Sequence, residues 1–199
     1  MIAVAARRTG FAIIAIACLG IAGYGMPYLL GNGAASNVLE NPRANPWLYV
    51  HIACGMVAIA LGPWQFLTRL RTRWHLLHRW IGRTYAVACL AGGTAGMLLA
   101  VGATMGTTTR WGFGLLAAGW LVTTALAWIT ARKRDYVAHR QWMVRSFALT
   151  LAALTLRIYL PLSLGNGAPF TDAYPAIAWL CWVPNLILAE AYLRWRPLP

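Results

Sequence analysis

Acidic residues are scarce in this sequence. Aspartate and glutamate together number four among 199 residues, against seventeen lysines and arginines. Hydrolases and transporters that work through paired carboxylates need several acidic side chains at one site, which so few residues hardly supply. The motif H-E-x-x-H, a Walker phosphate loop and a Ser-His-Asp set are also missing. These absences argue against the common hydrolytic enzymes and against a carboxylate-based transporter.

Closely spaced cysteines are missing as well. The four cysteines lie in four different apolar segments, and no C-x-x-C pair occurs. We therefore predict small buried side chains rather than a disulfide or metal set. The residues are Cys18, Cys54, Cys89 and Cys181.

Charged residues make up only 11% of the chain, whereas hydrophobic residues make up 60%. Soluble domains carry about 25% charged residues, so the composition predicts a membrane protein. The net charge of +13 could suggest a nucleic-acid partner. However, the arginines form short clusters between apolar runs, as in loops that face cytoplasm and anionic lipid. The lipid bilayer is the expected partner, and no nucleic acid is expected.

Six apolar runs are long enough to cross a bilayer as helices. Turn and breaker residues such as Pro46, Pro161 and Gly165 separate them. The sequence therefore predicts an all-α, polytopic membrane protein, a six-helix transmembrane bundle that forms a single domain over residues 1–199. The predicted helices span roughly 11–30, 47–68, 82–103, 111–131, 142–160 and 173–193.

Three local features refine this prediction. Pro63 should kink the second helix near its end. Residues 69–83 are rich in arginine and histidine and are predicted to be a basic hinge. Gly92 and Gly96 form a G-x-x-x-G pattern, which suits close contact between helices.

The first apolar run has two interpretations. It follows Arg7 and Arg8, and Gly33–Ala35 resembles a cleavage site, so a signal peptide is one interpretation. Its apolar part is about 20 residues long, however, and signal peptides usually have an apolar core of 7–15 residues. This length favours a retained helix.

The positive charges predict the orientation of the bundle. With the N-terminus inside, fourteen of the seventeen lysines and arginines fall on the inner side. Only Arg43 and Arg110 fall in outer loops, and Arg157 lies within a helix. Because cytoplasmic loops are enriched in lysine and arginine, both termini are predicted to be cytoplasmic.

The segment His139–Arg157 has a polar residue at each end of an apolar run. Its ends would lie on one helix face about 27 Å apart, close to the roughly 30 Å of a bilayer core. An isolated cation in an apolar helix is costly, so Arg157 needs a partner or a function. We therefore predict an inner and an outer polar layer.

The predicted inner layer contains His78 and His139, on two helices that run in the same direction. Two imidazoles at one depth can be the axial ligands of an iron, so one hypothesis is a haem b between them. Gly82 would leave room for a flat ring beside His78. Arginines that would neutralise the propionates are Arg79, Arg83, Arg140 and Arg145. The alternative is that both histidines are interfacial residues bonded to backbone or lipid headgroups.

The predicted outer layer contains His51 and Arg157. Because no second histidine lies at this depth, a bis-histidine haem is not expected there. One interpretation is a polar pocket for an anion or a quinone headgroup. The other is a structural polar contact.

Glu190, near the end of the sixth helix, is predicted to be ionised and paired with an arginine, as a structural lock between parts of the bundle. Arg194 lies one turn further on, and Arg145 or Arg83 could reach it across the bundle. A proton-relay role is the alternative interpretation.

Five pieces of sequence within residues 47–160 carry a family resemblance. They are His51–Gly55, Leu61–Phe66, His78–Tyr85, His139–Thr150 and Thr155–Arg157. Together they resemble the domain-of-unknown-function 2306 (DUF2306) family of bacterial predicted integral membrane proteins. The resemblance implies a multi-pass protein of the bacterial cytoplasmic (inner) membrane and brings no biochemical activity with it.

A looser likeness is to six-helix di-haem cytochromes of the b561 and ferric-reductase type. Those proteins use two histidine pairs on four helices. This chain has three histidines at membrane level, and none on its fourth or sixth predicted helix. The missing histidines argue against a protein that transfers electrons across the membrane through two haems.

The sequence leaves two functional hypotheses, and whether the protein is an enzyme stays open. In the first, one b-type haem held by His78 and His139 passes electrons to or from a quinone or an outer redox partner near His51 and Arg157. In the second, the protein is a non-enzymatic membrane carrier or an assembly partner, and these residues form structural polar locks.

Overall fold

The computed structural model describes residues 2–30 and 41–195, with side chains from Thr9 onward in these ranges. This part of the chain contains helices and connecting turns, and no strand. The helices are α1 (Ile2–Tyr24), α2 (Met26–Leu29), α3 (Ala44–Leu61), α4 (Thr68–Arg73), α5 (His75–Val101), α6 (Gly106–Arg132), α7 (Tyr136–Thr150), α8 (Ala152–Gly165), α9 (Phe170–Leu180) and α10 (Val183–Trp195). The segment Gly33–Ala35, the side chains of Arg7 and Arg8, and Arg196 lie outside the described residues.

Six stretches of helix are long and apolar enough to cross a membrane, and we number them as spans one to six. They are Thr9–Leu29, Ala44–Phe66, His75–Val101, Gly106–Arg132, Tyr136–Gly165 and Phe170–Trp195. Each has between 21 and 30 residues, and about 20 residues suffice to cross the hydrocarbon core. The prediction of an all-α protein with six transmembrane helices is confirmed.

The third span begins earlier than the sequence predicted. The backbone at Trp74 has φ −121° and ψ 52°, which interrupts the helix, and α5 starts at His75 rather than near Gly82. Arginine and leucine are good helix formers, so the basic segment continues into the membrane helix. As a result His78 lies within the first turn of α5, where its backbone N–H donates to the carbonyl oxygen of Trp74 at 3.0 Å.

The fifth span also begins early. Asp135 caps α7, because its Oδ1 accepts the backbone N–H of Ala138 at 3.0 Å. α7 therefore starts at Tyr136, and His139 lies inside the helix. At the other end, α8 runs through Pro161 to Gly165 rather than stopping at the proline. A proline inside a membrane helix is tolerated where neighbouring groups satisfy the freed carbonyl.

The third span lies at the centre of the bundle. α5 packs against α3 on one side and α6 on the other, and α7 packs against α6. One buried cluster joins these helices, formed by Ala58, Tyr85, Ala88, Cys89, Trp120 and Leu149. The side chains that carry chemistry are positioned by these four helices and by α4, α8 and α10.

Two glycines let α3 and α5 approach closely. A Cβ on Gly92 would lie 2.9 Å from the Cβ of Cys54, and a Cβ on Gly96 would lie 3.0 Å from Nδ1 of His51. The first distance is too short for a real side chain, and the second would force the imidazole to shift. The close contact predicted from the G-x-x-x-G pattern is therefore present.

The cysteines are unpaired in the structure. Cys18, Cys89 and Cys181 are buried, and Cys54 is half-buried. Each lies on a different span, so they act as small packing side chains.

Candidate functional site

Polar side chains recur along one face of the fifth span. His139, Ser146, Thr150 and Arg157 are separated by seven, four and seven residues, and helix positions at those spacings share a face. We call the end of the bundle where spans three and five begin the basic end. The polar groups fall into the basic-end cluster (Arg71, His78, His139 and Arg140), the hydroxyl network (Tyr85, Trp120, Thr124, Ser146 and Thr150) and the far-end pair (His51 and Arg157).

His139 is held by a backbone carbonyl of the neighbouring helix. Its Nδ1 lies 2.8 Å from the carbonyl oxygen of Ala127 on α6. A carbonyl oxygen can only accept, so in the neutral ring Nδ1 carries the proton and Nε2 carries the lone pair. This hydrogen bond fixes the orientation of the ring and leaves Nε2 able to accept a hydrogen bond or to ligate a metal.

His78 is the second imidazole of the cluster. Its Nδ1 is buried and has no hydrogen-bond partner among the described residues. His139 and Arg71 are the ionisable neighbours whose charge acts on this ring. A buried ring nitrogen without a partner costs free energy unless a water or a ligand satisfies it.

Arg71 was not among the predicted site residues. It lies on α4, in the connection between spans two and three, and its Nε is buried without a partner among the described residues. Nη2 makes only a long contact of 3.4 Å with Oγ1 of Thr68. Burial lowers the pKa of Arg71, the charge of Arg140 lowers it further, and Tyr192 partly offsets both effects. The cluster thus joins α4, α5 and α7, with α10 beside it.

Three other predicted arginines lie outside the cluster. Arg79 and Arg83 are exposed, and the guanidinium of Arg83 lies over a neighbouring tryptophan ring. Arg145 donates through Nε and Nη2 to the two carboxylate oxygens of Glu190, at 2.5 and 3.0 Å. The predicted partnership of Glu190 is therefore made with Arg145. Of the four arginines predicted near the haem, Arg140 is the one that belongs to the cluster, because its charge acts on Arg71.

The hydroxyl network lies midway along the bundle and was not predicted. Oη of Tyr85 lies 3.0 Å from Oγ of Ser146 and 2.9 Å from Oγ1 of Thr150. Thr124 reaches Ser146 at 2.8 Å, and Nε1 of Trp120 donates to Thr150 at 2.9 Å. All five side chains are buried. Because hydroxyls both donate and accept, the network satisfies its members and joins α5, α6 and α7.

A sequence signal for this network did exist. Tyr85 follows His78 by seven residues, and Ser146 follows His139 by the same interval. Seven residues are about two helical turns, so each hydroxyl shares the face of its histidine. Serine, threonine and tyrosine are common on membrane helices, and only the rotation of the helices decides which of them meet.

His51 is the imidazole of the far-end pair. Its Nδ1 lies 2.8 Å from the carbonyl oxygen of Gly92 on α5. By the same reasoning as for His139, Nδ1 carries the proton in the neutral ring and Nε2 carries the lone pair. Gly96 leaves the space that the ring needs, because its missing Cβ would contact Nδ1.

Arg157 is half-buried beside tyrosines of the first span. Its Nη1 donates to the carbonyl oxygen of Ala153 at 2.9 Å, one turn back along α8. The guanidinium carbon lies 5.5 Å from the ring centroid of Tyr24, which is the range of a cation–π contact. The charge of Arg157 also acts on His51. The two outer residues predicted from the sequence therefore lie in one neighbourhood.

Two concavities lie away from the histidines. One of about 360 Å³ is lined by residues of α8 and α9 and by Asn166, which follows α8. The other, of about 480 Å³, runs along α10 and reaches Glu190 and Arg194. Within residues 2–30 and 41–195, no group of three or more His, Cys, Asp or Glu is arranged to hold a metal ion.

Comparison with known proteins agrees with the architecture. Residues 48–193 match the family described as Predicted membrane protein (DUF2306). The match covers spans two to six, with the basic-end cluster, the hydroxyl network and the far-end pair inside it. No curated protein and no solved structure matches the chain. The match extends over more than half of the sequence, and the chain belongs to the DUF2306 family of membrane proteins.

Proposed function

We propose that the protein is a redox protein of the bacterial cytoplasmic membrane that holds one b-type haem between His78 and His139. The observation that carries the proposal is the pair of neighbouring imidazoles at the basic end, each with a ring nitrogen free for a ligand. His139 has the lone pair on Nε2, because Nδ1 bonds to Ala127. His78 has a buried nitrogen without a partner among the described residues.

The hydrogen bond of His139 supports this function in a second way. Imidazoles that ligate a metal almost always donate their other N–H to a carbonyl or carboxylate, which fixes the ring and raises its basicity. A backbone carbonyl is the stiffest such partner, because it cannot change rotamer. A haem bound there would supply one-electron transfer, which the twenty side chains alone do poorly.

The charges at the basic end also suit a haem. Arg71 and Arg140 are close enough for the charge of Arg140 to act on Arg71. A guanidinium pairs well with a carboxylate such as a haem propionate. Arg145 is already paired with Glu190, and Arg79 and Arg83 are exposed. The propionate partners that we propose are therefore Arg140, as the sequence predicted, and Arg71.

The redox partner that we propose is a quinone or an outer acceptor at the far-end pair. The free Nε2 of His51 would accept a hydroxyl proton of a quinol, and Arg157 would hold a carbonyl oxygen of the quinone. The clustering of lysine and arginine supports cytoplasmic termini. The basic end, and with it the haem, would then lie at the cytoplasmic surface, and the far-end pair at the periplasmic one.

The test is an absorption spectrum of the full chain, expressed with excess haem and purified in detergent. We expect a Soret band that is lost in both His78→Ala and His139→Ala. The matched control is His75→Ala, because His75 is exposed at the start of α5; this variant should keep the band. Circular dichroism confirms that each variant is folded. A folded wild-type protein that stays colourless overturns the haem function.

A second candidate is a non-enzymatic membrane carrier or assembly partner with structural polar locks. It is favoured by the observation that these polar side chains already form hydrogen bonds with one another. Arg145 holds Glu190 through two hydrogen bonds, and the members of the hydroxyl network bond to each other. Groups committed in this way stabilise one arrangement of helices. A colourless protein whose stability depends on these contacts would favour this candidate.

A further inference from the structure

The basic-end cluster has an excess of positive charge that no described carboxylate offsets. The three described acidic residues are Asp135, Asp172 and Glu190. Asp135 caps α7, Asp172 lies in the first turn of α9, and Glu190 is paired with Arg145. None of them lies within ion-pair distance of Arg71.

One nitrogen of Arg71 and one of His78 are buried and unused. Nε of Arg71 and Nδ1 of His78 are both buried, and neither has a hydrogen-bond partner among the described residues. Buried polar groups are nearly always satisfied in native proteins. Nε of Arg71 can only donate, so its missing partner is an acceptor, and Nδ1 of His78 serves the same acceptor when it carries the ring proton. The acceptor must serve nitrogens from two helices, α4 and α5.

The arginine pair specifies the charge of that acceptor. Arg140 is the neighbour whose charge acts on Arg71, and two half-buried cations repel each other. An anion between them would turn this repulsion into attraction, and guanidinium groups match the oxygens of phosphate closely. Tyr192, on α10, also acts on Arg71, and its hydroxyl is a further donor that phosphate could use.

We propose that Arg71 and Arg140, together with His78, form a binding site for a phosphate-class anion at the basic end of the bundle. The phosphate belongs either to an anionic lipid headgroup or to free inorganic phosphate. The site lies at the boundary between α4 and the membrane spans, where a lipid phosphate and a dissolved phosphate can both reach it. This inference goes beyond the haem proposal. Haem propionates would pair with the same two arginines, so a bound haem would compete with the phosphate.

The experiment uses the purified full chain in two arms. In the first arm, inorganic phosphate is titrated into detergent-solubilised protein and binding is followed by calorimetry. In the second arm, native mass spectrometry counts phosphatidylglycerol retained by protein released from nanodiscs, with phosphatidylcholine as the neutral comparison. Binding in the first arm identifies free phosphate, and binding in the second alone identifies a lipid headgroup.

The variants are Arg71→Gln and Arg140→Gln, with Arg73→Gln as the matched control. Arg73 lies on the same short helix as Arg71 and is exposed. We expect about tenfold weaker binding in Arg71→Gln and Arg140→Gln, the order expected for one lost charge-assisted hydrogen bond, and no change in Arg73→Gln.

A structural role for Arg71 gives a different result. In buffer without phosphate or anionic lipid, Arg71→Gln should be at least as stable as the wild type, because the repulsion with Arg140 is removed. A purely structural arginine would instead leave a less stable protein. The proposal is overturned if Arg71→Gln and Arg140→Gln bind both probes as well as the wild type, or if the wild type binds neither. Both arms use protein that shows no Soret band, so that haem cannot compete. The haem is tested on separate samples expressed with excess haem, so either proposal can fail alone.

Discussion

Arg145 and Glu190 join α7 to α10 through two parallel hydrogen bonds of 2.5 and 3.0 Å. The side chains are 21% and 35% exposed, and the guanidinium also lies over the ring of Trp142 at 4.7 Å. Paired hydrogen bonds of this kind fix both distance and orientation. The pair therefore sets how the last helix docks on the fifth span.

The first prediction concerns this ion pair. Glu190→Gln should lower the free energy of unfolding by about 1–2 kcal/mol, less than for a fully buried pair because water screens the partly exposed groups. Chemical unfolding in detergent measures the change. In the double variant with Arg145→Gln, the loss should be smaller than the sum of the two single losses. Strictly additive losses would contradict a direct pairing.

The second prediction concerns the hydroxyl network. Tyr85→Phe removes the hydroxyl that Ser146 and Thr150 share, and it should destabilise the bundle by about 1 kcal/mol. Thermal unfolding in detergent measures the effect. Tyr136→Phe is the matched control, because Tyr136 is 63% exposed and makes no described hydrogen bond through its hydroxyl. Equal stability of the two variants would mean that the network contributes nothing.

The third prediction concerns the contact between α3 and α5. Gly92→Ala would place a Cβ 2.9 Å from that of Cys54, so the helices must separate and the protein should become less stable. Gly55→Ala is the control, since a Cβ there meets no atom within 4 Å. Alanine favours helix by about 1 kcal/mol over glycine, so Gly55→Ala should be neutral or stabilising. A stabilising Gly92→Ala would refute the close approach.

The fourth prediction concerns topology. A reporter fused after Arg134, between spans four and five, should read cytoplasmic. A reporter fused after Gly167, between spans five and six, should read periplasmic. The reason is the excess of lysine and arginine on one side of the bundle. The reverse result would invert the orientation and place the basic end outside.

Much of the architecture could be predicted from local sequence. In hydrocarbon, a run of about 20 apolar residues has one stable conformation, a helix in which the backbone N–H and C=O groups bond to each other. Six such runs therefore predict six spans. The starts of α5 and α7 were harder to predict. The basic segment that suggested a loop before the third span contains good helix formers and extends α5, and the Asp135 cap starts α7 early. His78 and His139 therefore lie inside helices rather than before them.

Which residues form the candidate site could be predicted only in part. The depth of His78, His139, His51 and Arg157 follows from their distance along each helix. Arg71 was missed because it lies on a short helix between spans, where depth cannot be counted along a membrane helix. Arg83 and Arg145 were expected to behave alike. Their helix faces differ in direction, so Arg83 is exposed and Arg145 reaches Glu190.

The sequence by itself determined the membrane class, the number of spans and the position along its span of each polar residue on a predicted span, because hydropathy and helical rise are properties of a single segment. Only the tertiary structure decided which polar groups meet. The rotation of each helix about its axis depends on packing against its neighbours, and a turn of one residue, about 100°, exchanges a buried side chain for a lipid-facing one. For that reason Tyr85 bonds to Ser146 and Glu190 pairs with Arg145, whereas one buried nitrogen of Arg71 and one of His78 have no partner among the described residues.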